Sequence, residues 1–281
     1  MGHTGPQEGE GKVGGKSRPP RCLTVAGSDS GGGAGIQADL KTFAAFGCYG
    51  SSAITALTAQ NTVGVSAVHA PPPSFVAMQI DAVLSDIGAD SVKTGMLFDA
   101  PIVEEVAAQL ERHGACERLV VDPVMVAATG ARLLADDAIE AVRSRLLPLA
   151  LVATPNIPET EALVGGSLSC EDDAVEAGRA IQRLGPTWVV IKGGHASGSE
   201  AVDLLVGPRG EVERLRSPRI ETRHTHGTGC SFASALCASL ARGLGVPEAA
   251  SEAKSWLTGA IQSAFPVGRG YGPVHHFHRH W

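Results

Sequence analysis

The chain has 281 residues, of which 43% are hydrophobic, 19% charged and 4% aromatic, and its formal net charge is -6. The composition is that of a globular protein. Its acidic balance and its few aromatic residues argue against nucleic acids and anionic membranes as binding partners. No apolar run approaches the ~20 residues of a membrane span, and the six cysteines form no CxxC pair, so we expect reduced thiols in a cytoplasmic protein.

Residues 1–20 are rich in glycine and proline and lack the apolar segment of a signal peptide, so we predict a disordered tail there. Residues 21–281 are predicted to form a single domain. Strand and helix patterns alternate along them, which predicts an α/β fold with a mostly parallel sheet and helices on both faces.

Apolar and β-branched runs predict strands, and apolar residues at helical spacing predict helices. The predicted strands are 21–26, 49–57, 62–69, 90–96, 118–121, 149–153, 188–191, 201–206 and 212–215. The first two helices follow the glycine-rich turn 27–35 and the prolines 71–73, and the second has Phe75, Val76 and Ile80 on its apolar side. The later helices are 99–113, 138–147, 159–164, 172–184, 231–242 and 248–265.

Polar or glycine-rich segments follow most of these strands. Ligands bind at the carboxyl ends of the strands in parallel sheets, so we expect these segments to form one site. They are 27–35, Gln60, Met96, Asp122, 156–159, Lys192 and 226–230.

The segment His226-Gly227-Thr228-Gly229-Cys230 precedes a helix of small residues and is the predicted centre of the site. Free amides at the helix start would attract an anion and push the thiol toward thiolate, which would make Cys230 a base. The alternative is a glycine-rich helix start with a buried cysteine, and the motif taken alone favours that alternative.

The other segments are also open to two interpretations. The loop 27–35 matches neither the dinucleotide-binding nor the P-loop pattern, and it is equally well a flexible connection. Asp122 is either a functional carboxylate or a turn residue. Asn156 and Glu159 have the spacing of a capping box, and we favour this structural interpretation over a functional one.

Together these groups suit phosphoryl transfer. Lys192 would hold a donor phosphate as a point charge, Asp122 and Glu159 would hold Mg²⁺, and Cys230 would take the proton of an acceptor hydroxyl. A serine hydrolase is disfavoured because the chain has no GxSxG motif.

Several motifs also resemble one family in sequence and in order. They are Ala26-Gly27-Ser28-Asp29, the segment 32–43, Ile54-Thr55-Ala56-Leu57, Ala59-Gln60-Asn61, Lys192-Gly193-Gly194-His195, the segment 226–230 and the histidine-rich segment 272–278. From about Arg21 to the C-terminus the chain resembles the hydroxymethylpyrimidine/phosphomethylpyrimidine kinases of thiamine biosynthesis. The resemblance implies a ribokinase-like three-layer αβα sandwich around a central, mostly parallel sheet.

The resemblance also implies a reaction. ATP, with Mg²⁺, would phosphorylate 4-amino-5-hydroxymethyl-2-methylpyrimidine and then its monophosphate to the diphosphate. Cys230 matches the catalytic cysteine of the family, and we place Gly227 and Gly229 with it in the catalytic set. The residues that match the pyrimidine pocket are Gln60, Gly27, Asp39, Met96 and Val124. Lys192 and Thr228 match ATP contacts, and Asn156 and Glu159 match an N-x-x-E element near Mg²⁺ and phosphate.

Two other functions remain as alternatives. One is a vitamin B6 kinase, since pyridoxine-type rings have a similar size and also bear a hydroxymethyl group. The other is a pyrimidine sensor that has lost turnover, although a sensor has no need of a base such as Cys230. We also expect a homodimer.

Overall fold

The computed structural model describes residues 18–125, 136–193 and 198–281. Most of the predicted tail, residues 1–17, lies outside this part of the chain, as does His195 of the glycine-rich motif after Lys192. The tail at 1–20 and the single domain at 21–281 therefore stay predictions.

Nine strands in the described residues form one sheet in the order β3-β2-β1-β4-β5-β6-β7-β8-β9. The six central strands, from β2 to β7 in that order, are mutually parallel, whereas β3 at one edge and β8 near the other run antiparallel to their neighbours. The strands are β1 (Arg21–Asp29), β2 (Tyr49–Gln60), β3 (Val65–His69), β4 (Ser91–Thr94), β5 (Leu119–Val121), β6 (Val152–Ala153), β7 (Trp188–Ile191), β8 (Glu200–Val206) and β9 (Val212–Pro218).

Helices cover both faces of the sheet, and the predicted three-layer sandwich is confirmed. One buried apolar cluster contains residues of α2 to α6, and a second contains residues of α1, α7 and α8. The helices are α1 (Gly35–Ala45), α2 (Pro73–Asp86), α3 (Ala100–Arg112), α4 (Asp136–Ala141), α5 (Ile157–Val164), α6 (Glu171–Gln182), α7 (Thr228–Ala241) and α8 (Val246–Gln262). None of the described helices has the length and apolar character required to cross a membrane.

Strand β5 shows why the sequences of the central strands are short runs of apolar residues. Leu119 and Val121 belong to one apolar cluster and Val120 to the other, and all three are fully buried. A strand with helices on both sides buries both of its faces, so its sequence does not alternate between polar and apolar residues.

The order of the strands fixes where a ligand fits. From β1 the chain goes first to β2 on one side and later to β4 on the other, so the crevice between β1 and β4 is the switch point of the sheet. Ligands bind outside the carboxyl ends of the strands at such a point. The Gly27 amide donates to the Met96 carbonyl across this crevice at 3.1 Å.

Two predictions about elements are wrong. Phe75 is 52% exposed, and only Val76 and Ile80 of α2 are fully buried, because the helix turns Phe75 away from the sheet. The predicted helix 138–147 continues beyond Ala141 only as a π-helical turn (Val142–Leu146) and a 3₁₀ turn (Leu147–Leu149). Pro148 lies in the second turn, and β6 begins at Val152 instead of the predicted residue 149.

Candidate active site

A cavity of about 1110 Å³ lies at the carboxyl edge of the sheet. Twelve of the thirteen predicted site residues line it, and Asp39 does not. The twelve are Gly27, Gln60, Met96, Asp122, Val124, Asn156, Glu159, Lys192, Gly227, Thr228, Gly229 and Cys230.

The order of the strands distributes these groups along the cavity. Gln60 ends β2, Gly27 lies near the end of β1, and Met96 follows β4. Asp122 and Lys192 follow β5 and β7, farther along the same edge. Neighbouring strands are about 4.8 Å apart, so the cavity has one end at Gln60, a centre at the carboxylates and an opposite end beyond Lys192.

The glycine-rich loop after β1 is organised around the Asp29 carboxylate. The amides of Gly31, Gly33 and Ala34 donate to it at 2.8, 3.1 and 2.9 Å, and His226 Nε2 lies 2.8 Å from it. Burial works against the charge, but the hydrogen bonds from His226 and the loop amides hold the pKa of Asp29 below its usual value. The segment is therefore an ordered turn and not a flexible connection.

Gly227 brings a second glycine turn against this loop. Its φ is 80°, and a Cβ at this position would overlap the carbonyl oxygen of Gly33. Only glycine permits both the left-handed conformation and this close approach of two backbones. The contact places the start of α7 beside the start of α1, which begins at Gly35.

The start of α7 presents free amides to the cavity. Its first intrahelical bond is from the Ser231 amide to the Gly227 carbonyl at 2.9 Å, so the amides of Gly229 and Cys230 precede it. A Cβ on Gly229 would lie 3.3 Å from Lys192 Nζ. The Lys192 ammonium group therefore lies directly beside the start of α7, so both can contact the same phosphate group.

Cys230 lies in this first turn, and the Gly35 amide is near enough to its sulfur to affect the pKa of the thiol. Burial raises the pKa of Cys230 to about 11; Lys93 and the Gly35 amide lower it, whereas Asp39 and Asp122 raise it. The net shift is thus opposite to the one predicted from the helix start. Burial and two nearby carboxylates raise this pKa by more than Lys93 and the Gly35 amide lower it.

Asp39 lies in α1 beneath the cavity, and the prediction that it lines the pyrimidine pocket needs correction. It is fully buried, and its carboxylate accepts bonds at 2.6 Å from both Thr24 Oγ1 and Ser234 Oγ. Lys93 Nζ completes an ion pair with it at 3.0 Å. Ser234 lies one turn beyond Cys230, so Asp39 acts on α7 from below and not on a ligand.

Lys192 connects the two predicted metal ligands. Its Nζ donates to Asp122 Oδ1 at 2.8 Å and lies 3.9 Å from Glu159 Oε2. Burial and the Asp122 charge raise the pKa of Glu159 to about 7, against the opposing effect of Lys192. The other oxygen, Asp122 Oδ2, is buried without a hydrogen-bond partner in the described structure.

Asn156 and Glu159 form the capping box that their spacing predicts. Asn156 Oδ1 accepts the Glu159 amide at 2.9 Å, and Glu159 Oε2 accepts the Asn156 amide at 2.8 Å. The box fixes the start of α5 and holds the Glu159 carboxylate at the cavity wall. The structural and the functional interpretation are therefore compatible, because the cap positions the carboxylate.

The carboxylates of Asp122 and Glu159 fit a magnesium site in which phosphates and water supply the other ligands. They do not suit a site built from protein ligands alone. No group of three or more His, Cys, Asp or Glu side chains among the described residues could hold a metal. Mg²⁺ is usually held by one or two carboxylates together with substrate phosphates and water. The unpartnered Asp122 Oδ2 and the nearby Glu159 meet that requirement.

At the other end of the cavity, Gln60 sits in a hydrogen-bonded cluster. Thr58 Oγ1 is 3.1 Å from Gln60 Oε1, and His226 Nε2 is 3.4 Å from Gln60 Nε2. His226 Nε2 donates to Asp29 at 2.8 Å, so it has no lone pair for the Gln60 amide and holds only the glycine-rich loop. The contact with Thr58 orients the Gln60 amide at the cavity wall.

Sequence reasoning missed a further lobe of the cavity beyond Lys192. It is formed by β8, by the segment after β9 and by one side of α8. Its residues include Asp203, 217–222, Lys254, Thr258 and Ile261. Lys254 lies one turn after the buried Ala250 and directly after the buried Ala253. A lysine on the apolar side of a helix is the signal that could have revealed this lobe.

The family model and the curated relatives identify one family. The family model for phosphomethylpyrimidine kinase matches residues 29–275. The chain is 52% identical over 258 residues to a hydroxymethylpyrimidine/phosphomethylpyrimidine kinase of Streptomyces coelicolor, covering 92% of this chain and 94% of that one. It is 54% identical over 254 residues to the thiamine biosynthesis bifunctional protein ThiED of Geobacter sulfurreducens, covering 90% of this chain. That match spans about half of the Geobacter protein, 51%.

Solved structures share the fold. A phosphomethylpyrimidine kinase from Clostridium difficile has a TM-score of 0.76 at 44% identity, covering 86% of this chain and 99% of that one. A pyridoxal kinase from Staphylococcus aureus in complex with ADP has a TM-score of 0.87 at 36% identity, covering 94% of this chain and 96% of that one.

The charges around Cys230 predict opposite effects of two substitutions. Lys93→Met removes a positive charge and should raise the pKa of the thiol, so alkylation of Cys230 at a given pH should slow. Asp122→Asn removes a negative charge and should lower the pKa, so alkylation should become faster. The rate of iodoacetamide labelling of the Cys230 peptide, measured from pH 7 to 9.5, gives both results.

In the parent protein the labelling rate should rise about tenfold per pH unit over this range, because the thiolate fraction does so well below the pKa. Thermal unfolding of each variant serves as the control for folding. A general loosening of the site would accelerate labelling in both variants, and that outcome would contradict the electrostatic account.

Proposed function

The chain belongs to the phosphomethylpyrimidine kinase family, and we propose that it transfers a phosphoryl group from ATP to 4-amino-5-hydroxymethyl-2-methylpyrimidine. A second transfer, to the monophosphate, then yields the diphosphate for thiamine biosynthesis. The main support is the placement of Cys230, Gln60 and Lys192 in one cavity. These groups supply a base, a contact for the pyrimidine and a contact for the donor phosphate.

The pyrimidine is proposed to bind at the Gln60 end of the cavity. Gln60 would pair with the polar edge of the ring, and Gly27, Met96 and Val124 would contact its faces. An amide side chain already held by Thr58 loses little freedom on binding, which favours affinity. The hydroxymethyl group of the ring would then point toward Cys230.

The donor phosphates are proposed to lie between the start of α7 and Lys192. The amides of Gly229 and Cys230 would stabilise the charge that spreads over the oxygens of the transferred phosphoryl group. Thr228 and Asn156 would add side-chain contacts to the phosphates. Mg²⁺, bound by Asp122 and Glu159, would neutralise phosphate charge. It would also neutralise the Asp122 carboxylate, which raises the pKa of Cys230 in the ligand-free protein.

Cys230 is proposed to accept the proton of the hydroxymethyl group as the new O–P bond forms. The sulfur has the Gly35 amide and the buried Lys93 charge in its surroundings, and both stabilise the thiolate. To act as a base the thiol must first lose its own proton, and neutralisation of the Asp122 charge by bound Mg²⁺ would lower the pKa of Cys230 toward that state. In this arrangement positioning and electrostatics provide most of the catalysis, as is usual in phosphoryl transfer.

A vitamin B6 kinase is the second candidate. It is favoured by the solved pyridoxal kinases that share the fold, such as the Staphylococcus aureus enzyme at 36% identity. The pyrimidine kinases among the relatives have higher identity, 52% for the Streptomyces enzyme. The sensor function is not favoured, because the cavity retains both Cys230 and Lys192.

We further propose that the protein is a cytoplasmic homodimer. Large apolar side chains of β2, α2 and the connection after β2 are exposed, and burial against a second copy would remove them from water. They are Leu57, Val63, Phe75 and Met78. The mass measured by light scattering during size-exclusion chromatography tests this assembly.

Release of ADP decides between the candidate functions. With ATP and Mg²⁺ present, we expect the aminopyrimidine and its monophosphate to give higher kcat/KM values than pyridoxal does. A clear preference for pyridoxal would establish a vitamin B6 kinase instead. Binding of the pyrimidine without any release of ADP would establish a sensor.

Substitution of Cys230 tests its role as the base. Cys230→Ser should reduce kcat by about 10²- to 10⁴-fold with little change in ATP affinity, because a hydroxyl is a far weaker base than a thiolate. The matched control is Cys237→Ser, which lies two turns farther along α7, is fully buried and bonds to Ser91. Wild-type kcat in the Cys230→Ser variant would remove this residue from the mechanism.

A further inference from the structure

A second buried ion pair lies in the lobe beyond Lys192. Lys254 Nζ of α8 is 2.8 Å from Asp203 Oδ2 of β8, and the two residues are 8% and 4% exposed. Removing two charges from water is costly, and such a pair is seldom better for stability than apolar side chains of the same size. Its retention at the wall of the cavity therefore suggests a role other than stability.

The second oxygen of the same carboxylate has a specific partner. Asp203 Oδ1 accepts the backbone amide of Gly193 at 2.9 Å. A Cβ on Gly193 would overlap the carbonyl oxygen of Val202, so the backbone at 193 lies directly against β8. Contacts thus connect Lys254 on α8, through Asp203 on β8, to the peptide group between Lys192 and Gly193, directly after β7.

The position of that peptide group determines where the Lys192 side chain leaves the backbone. The Lys192 amide donates to the Pro155 carbonyl at 2.9 Å, on the β6 side, and the next amide donates to Asp203, on the β8 side. Two successive amides are therefore fixed from opposite directions. Between them the Lys192 side chain leaves the sheet edge and reaches Asp122.

We propose that Asp203, held in place by Lys254, is a positioning residue for Lys192 and thereby for the triphosphate of ATP. The proposal rests on the proposed role of Lys192 as a phosphate contact. Lys254 keeps the carboxylate turned so that one oxygen faces the Gly193 amide. Without that acceptor the backbone after β7 moves, and the lysine ammonium group no longer stays opposite the start of α7.

Two double variants isolate the hydrogen bond to Gly193. Asp203→Asn/Lys254→Met removes both charges but keeps an oxygen that accepts the Gly193 amide. Asp203→Ala/Lys254→Met removes both charges and the acceptor. Neither variant leaves an unpaired buried charge, and the two differ in whether residue 203 has a carboxamide group that can accept from Gly193.

The affinity for ADP, measured by calorimetry, is the main readout. We expect the Ala/Met variant to weaken ADP binding about tenfold and to raise the KM for ATP by a similar factor, as the loss of one buried hydrogen bond and its consequences implies. The Asn/Met variant should retain most of the parent affinity. The KM for the pyrimidine should stay within about twofold in both variants, because a local shift at Lys192 spares the Gln60 end.

Asp203→Glu provides a second test should the Ala/Met variant fold poorly. It keeps the charge for Lys254 but moves the carboxylate by one methylene relative to Gly193, so ADP binding should also weaken. Glu252→Gln is the control on the same helix, since Glu252 pairs with Arg242 and Ser239 and does not line the cavity. Its ADP affinity should equal that of the parent protein.

Equal loss of ADP affinity in the Asn/Met and Ala/Met variants would overturn the proposal, because it would mean that Lys254 itself contacts the nucleotide. Unchanged ADP affinity in the Ala/Met and Asp203→Glu variants would overturn it as well. Binding of ADP is measured without turnover, so a failure of the proposed reaction would be recognised separately.

Discussion

The close approach of two glycine turns is the constraint on which the site depends. Gly227 lies so near the Gly33 carbonyl that no side chain fits between them, and the His226–Asp29 pair holds the two turns together. As a result, α1 and α7 begin side by side at the switch point of the sheet. The start of α7, which we propose as the anion-binding surface, and the Cys230 thiol then line the same cavity.

Lysine–carboxylate pairs from different layers support this arrangement along the sheet edge. Lys93 and Asp39 lie beneath α7, Lys192 and Asp122 lie at the centre of the cavity, and the Asp203 pair lies in the lobe beyond. Each lysine is buried or nearly so, and each has a carboxylate at hydrogen-bond distance. A buried charge needs such a partner, and the Lys192 pair places positive charge where we propose that phosphate binds without leaving it uncompensated in the ligand-free protein.

Sequence patterns predicted the fold and brought together twelve residues that line one cavity, because both follow from where strands end. Cavity residues such as Gln60 and Lys192 come at or directly after strands, and parallel strands bring their carboxyl ends to one edge. Asp39 could not be placed in this way, since its position within α1 does not reveal whether its side chain faces a ligand or the interior. The pKa of Cys230 also depends on Lys93, Asp39 and Asp122, which are remote in sequence, whereas the helix start alone favours thiolate.

The central claim is that this packing holds the Cys230 sulfur opposite the phosphate contacts and next to the hydroxymethyl group of the substrate. A crystal structure with the aminopyrimidine, Mg²⁺ and a non-hydrolysable ATP analogue measures this most directly. The account predicts that the hydroxymethyl oxygen lies within hydrogen-bond reach of the sulfur, with the terminal phosphate between Lys192 and the amides of α7. A pyrimidine bound with its hydroxymethyl group directed away from Cys230, or a terminal phosphate that contacts neither Lys192 nor α7, would contradict it.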